Sequence, residues 1–85
     1  MEKYFLVENS DKKTLGCLIF RKDVRLFNEK LTFFLKNSIG TNCNFNPILM
    51  ESMSSNYIEI DINYYSKKLE QTVTEQIFLT SVECY

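Results

Sequence analysis

Across 23–40 the apolar residues Val24, Phe27, Leu31, Phe34, Leu35 and Ile39 recur so that at about 100° per residue they share one arc. Asn28 and Ser38 lie at its margins. Asp23 stands where a side-chain oxygen can accept from the first-turn amides, and Gly40 where a left-handed residue ends a helix without a Cβ penalty. The pattern predicts one long helix with that arc as its core face. Leu26 and Phe33 break the pattern, because they fall on the opposite side among Glu29, Lys30, Lys36 and Asn37.

Before the helix, 3–8 and 14–21 read as two strands joined by a polar loop at 9–13. Both are apolar on both faces, while one helix covers only one. After it, a polar loop at 41–46 is closed by Pro47, 48–53 reads as a short strand, and 54–56 turns the chain. In 57–65 the alternation is regular, with Ile58, Ile60, Ile62 and Tyr64 inward and Glu59, Asp61 and Asn63 outward. A loop at 66–71 and a final strand over 72–84 complete the chain. The order ββαβββ predicts a single α+β domain over 1–85: one five-stranded, mainly antiparallel sheet with one helix on one face, with a β-grasp-like arrangement as the alternative. Placing the last strand between the first and fourth would gather the loops 9–13, 40–47 and 66–71 at one end. Lys12, Lys13, Lys67 and Lys68 would then meet near the helix C-terminus.

Eighty-five residues support one core and not two. A net charge of −1, from ten basic and eleven acidic residues, gives no overall electrostatic footprint for nucleic acid. The helical stretch differs, since Lys22, Arg25, Lys30 and Lys36 outnumber Asp23 and Glu29 there. Alanine, tryptophan and histidine are absent, and Phe, Tyr, Met, Ile, Asn and Lys supply 38 of 85 residues. Those six have A/T-rich codons, so the composition points to a low-GC genome such as that of an AT-rich bacterium, its phage or another mobile element.

The chemistry expected is sparse. Without histidine there is no Ser-His or Cys-His nucleophile pair. Cys17, in mid-strand, is expected in the core, and Cys43, in a loop, nearer the surface. Three scattered cysteines, with Cys84 the third, suit neither a disulfide scaffold nor a zinc site, so no metal or cofactor is expected. Glu59 and Asp61 share one strand face as ordinary solvated residues, and Gly16 marks a bulge or a close approach. No stretch is long and apolar enough for a membrane span, which places the chain in the cytoplasm.

These observations predict a non-enzymatic binding protein, an inhibitor or adaptor that docks on a larger macromolecule, in the size class of anti-CRISPR-like antagonists of host defence. Leu26 and Phe33 are the expected anchors, with Glu29, Lys30 and Lys36 as rim. The two-faced strands predict a further partner for the uncovered sheet face, most simply a homodimer. The alternative is a nucleic-acid-binding protein that uses Lys12, Lys13, Lys67 and Lys68 as an anion contact.

Overall fold

The computed structural model describes residues 2–83, in the order β1 (Lys3–Glu8), β2 (Thr14–Phe20), α1 (Val24–Ile39), a 3₁₀ turn (Met50–Ser54), β3 (Tyr57–Ser66) and β4 (Gln71–Val82). The strands form one antiparallel sheet in the order β2-β1-β4-β3. The class is α+β. The five-stranded, β-grasp-like expectation is corrected, because the sheet has four strands and the segment at 48–53 is not one of them.

The reason lies in the helix. Asn28 turns its amide onto Ile48, accepting from the Ile48 amide through Oδ1 (2.9 Å) and donating to the Ile48 carbonyl through Nδ2 (2.9 Å). The backbone groups a ladder would need are thereby taken, and Pro47 has no N–H to offer. Beyond it the chain coils, with the Ser52 amide donating to the Leu49 carbonyl at 3.0 Å. Ile48 and Met53 still reach the core. Their apolar signal was a signal of burial, which a 3₁₀ turn satisfies as well as a strand.

Helix α1 forms as its sequence dictates. Asp23 Oδ1 accepts from the amides of Arg25 (3.0 Å) and Leu26 (3.2 Å), and Gly40 closes the helix at φ 94° with its amide on the Lys36 carbonyl. Phe27, Leu31 and Leu35 are fully buried against Phe5, Val7, Phe20, Ile58, Ile62, Ile77 and Leu79. Val24, Phe34 and Ile39 pack at the margin of that cluster. The ring of Phe27 meets those of Phe5 and Phe20 edge-on, at 5.7 and 5.9 Å between centroids.

Register assigns each strand residue to a face. Phe5 pairs with Leu18, Val7 with Gly16 and Leu79, and Ile58 with Leu79, all toward the helix. Leu6 pairs with Cys17 and Thr80, Tyr4 with Ile19 and Val82, and Glu8 with Phe78, all away from it. The regular alternation expected of 57–65 holds in β3. Its pairing with β4 continues past the end of β1 as a two-stranded ribbon out to the rung Ser66–Gln71. β2 and β3 are the edges. Asn44 lies along β3 and exchanges two 2.8 Å hydrogen bonds with Asn63, whereas among the described residues β2 has β1 on one side and no strand on the other.

Candidate functional site

On the β2 side of α1 the surface is indented by a groove of about 680 Å³ with mainly apolar walls. Leu26, Phe33 and Phe34 form the helical wall, Leu18 of β2 forms the opposite wall, and Glu29 and Lys30 bring charge to it. Phe33 is 66% exposed and Leu26 46%. Their exposure follows from the helix phase: Phe27, Leu31 and Leu35 fix the buried arc, and residues on the other side have nothing in this chain to pack on.

Four of the five anchor and rim residues expected from the sequence, Leu26, Glu29, Lys30 and Phe33, thus line one concavity. Lys36 is exposed and does not line it. Leu18, Phe34, Asn37 and Ser38 line it and were not expected there. The signal for Phe34 was hidden by its place on the apolar arc, since a margin residue can face the core and a groove together. The signal for Leu18 was present in the two-faced apolar pattern of its strand.

The lysine cluster does not form. Lys12 extends its ammonium over the ring of Phe78, 4.1 Å from the centroid, held there by a tight loop in which Asn9 Oδ1 accepts from the Asp11 and Lys13 amides. Lys67 and Lys68 sit in the β3–β4 turn beside Ile39 and Gly40. Along β4 the path from Phe78 to Gln71 is roughly 23 Å at about 3.3 Å per residue, so the ribbon carries the second pair well away from the first.

The face of the sheet away from α1 is partly covered from within. Phe78 is buried on that side between Lys12 and a stacked Tyr57 ring at 6.1 Å, while Tyr4, Leu6, Ile19 and Val82 remain half-buried. Glu59 lies on the same face, paired with the Gln76 amide at 2.9 Å. Both expected cysteine environments are reversed. Cys17 points to the open face and is exposed, and Cys43 is buried beneath the loop with its thiol on the Thr41 carbonyl. The alternation of a two-faced strand does not say which face the helix takes. Cys84 lies outside the described residues.

Burial first, and then the charge of Glu75, hold the Cys43 thiol above its ordinary value of 9.0. Tyr64 is raised above 10.0 mainly by burial and next by its 3.0 Å hydrogen bond to Glu75. A thiol kept protonated is a poor nucleophile and a poor metal ligand. Among the described residues no three His, Cys, Asp or Glu side chains gather as a metal-binding group. Among those residues, too, no helix is long and apolar enough to cross a membrane.

Comparison with known proteins finds no matching protein family, no matching curated protein and no matching solved structure.

Proposed function

We propose that this chain is a non-enzymatic protein-binding domain, an inhibitor or adaptor that docks on a larger protein through the groove between α1 and β2. The observation that carries this reading is Phe33, a large apolar side chain two-thirds exposed on the wall of an apolar concavity, with Leu26 beside it and Glu29 and Lys30 at hand. Exposed apolar surface rimmed by charge is the anatomy of an interface, in which a few large residues supply most of the affinity. Its size and A/T-biased composition agree with small antagonists of host defence carried by phages and mobile elements, anti-CRISPR-like inhibitors among them.

The test is a complex rebuilt from purified components after capture of the partner from the encoding cell or its host. Phe33→Ala is expected to weaken that complex by about 2 kcal/mol or more and to leave stability within about 0.5–1 kcal/mol of the parent. Glu59→Ala, on the opposite face, should alter neither. Equal affinity of the parent and Phe33→Ala would remove the groove from the reading.

A further inference from the structure

We infer that the groove receives an extended, acidic and apolar segment of the partner, which adds as a strand along the free edge of β2. The inference rests on the docking reading above and specifies its ligand.

The first support is the edge itself. An edge strand leaves half of its backbone N–H and C=O groups turned outward, and proteins commonly guard such edges with charge, proline or a covering loop. Gly16–Phe20 carries no charged residue and no proline, and the guarding loop of this fold, at Asn44, lies along β3 instead. Beyond the register shift at Leu15, β2 from Gly16 to Phe20 is an unguarded edge among the described residues.

The second support is that two hollows lie beside that strand, both walled by Leu26 and Lys30 of α1. Leu18 and Ile19 point to opposite faces of the sheet, yet Leu26 and Lys30 line one hollow with Leu18 and another with Ile19. The second hollow also takes in Arg21, Lys22 and Asp23, so it lies where β2 passes into α1, and the two hollows succeed one another along the helix beside β2. An added strand would therefore set alternate side chains into the groove beside Leu18 and Phe33, and the others beside Ile19 and Cys17, while its backbone paired with β2. Backbone pairing supplies affinity in this mode and the alternate pockets supply selectivity.

The third support is charge. Among the described residues no carboxylate pairs with Lys22, Arg25, Lys30 or Lys36, whereas Asp23 is engaged by the Arg25 and Leu26 amides and Arg21 by Glu2. Lys30 lines both hollows and Lys22 the one beside Ile19, while Arg25 lies on the far side of the helix and Lys36 lines neither, so two unpaired cations face Glu29 along this edge. A partner with carboxylates beside its apolar residues complements this surface. A second copy does not, because a two-fold axis would bring the same basic helix against itself.

The experiment titrates the isotopically labelled domain with a short synthetic peptide in which valine and leucine alternate with glutamate. Expected are amide shifts across Gly16–Phe20 and slowed exchange of the outward-facing β2 amides, with affinity falling roughly tenfold or more when lysine replaces glutamate or when alternate peptide nitrogens are methylated. Lys30→Glu should weaken the acidic peptide and not its lysine counterpart. Shifts confined to the β3 edge, or equal binding of the lysine peptide, overturn the inference. An acidic amphipathic helical peptide that shifts Leu26 and Phe33 without protecting β2 overturns strand addition and leaves the docking reading standing. If neither peptide shifts the groove, both fall. Loss of β2 amide signals on raising the protein concentration without peptide would assign the edge to a second copy, and overturns the inference too.

Discussion

The ring of Phe34 occupies the space a side chain at Gly16 would need: a Cβ placed there would stand 2.8 Å from both Cε2 and Cζ. Helix and edge strand approach so closely because one residue of the pair is absent beyond Cα. Gly16→Ala should cost about 1–3 kcal/mol by overpacking, and adding Phe34→Leu should return a good part of it. Urea denaturation of the two single variants and the double variant measures this coupling. Additive effects would show that the contact is not what selects glycine.

Leu31 is fully buried beneath the helix, so Leu31→Ala should cost about 2–5 kcal/mol, the range for leucine truncations that leave a cavity. The same assay on Phe33→Ala sets the phase of the helix. A loss at Phe33 as large as that at Leu31 would mean the buried arc is rotated.

Asn28 holds Ile48 by two hydrogen bonds and also donates to the Val24 carbonyl at 3.0 Å. Asn28→Ala leaves the Ile48 amide and carbonyl without partners and should cost about 1–3 kcal/mol. Hydrogen exchange at the Ile48 amide should quicken more than at core amides of β1. Unchanged protection at Ile48 would show that the loop is held by its apolar side chains alone.

The raised Cys43 and Tyr64 values have a definite sign. Unfolded, these groups lose protons near 9.0 and 10.0, and folded they hold them to higher pH. Their contribution to stability is fully present below the unfolded values and is lost as pH rises through the folded ones. Melting temperature should fall as pH rises past the ordinary values of 9.0 and 10.0, less steeply in Tyr64→Phe. Alkylation mapped by peptide should label Cys17 well before Cys43, and the reverse order would contradict the burial of Cys43.

What the sequence made legible were features set by local chemistry. Asp23 and Gly40 bound the helix because caps act over a single turn, and Ile58 to Tyr64 kept their alternation because one face of β3 is buried at Ile58 and Ile62 and half-buried at Ile60 and Tyr64. What it hid depends on partners distant in the chain. Nothing near Ile48 announces that Asn28 will take its backbone, and nothing near Cys17 says which side of the sheet the helix will cover. The candidate groove was half legible: Leu26 and Phe33 stand out against the helical period, but that Leu18 lies opposite them follows only from the crossing of helix and strand.

β1 sits in the middle of the sheet with β2 on one side and β4 on the other, so the first strand of the chain is completed by the last. Contacts between remote segments form late, since a long loop must close before they contribute. During synthesis the β1–β2 hairpin and α1 emerge first, with one side of β1 bare until Phe78 to Val82 have left the ribosome. The sheet is therefore complete only once β4 has emerged, and removing β4 would expose a second unguarded edge beside that of β2.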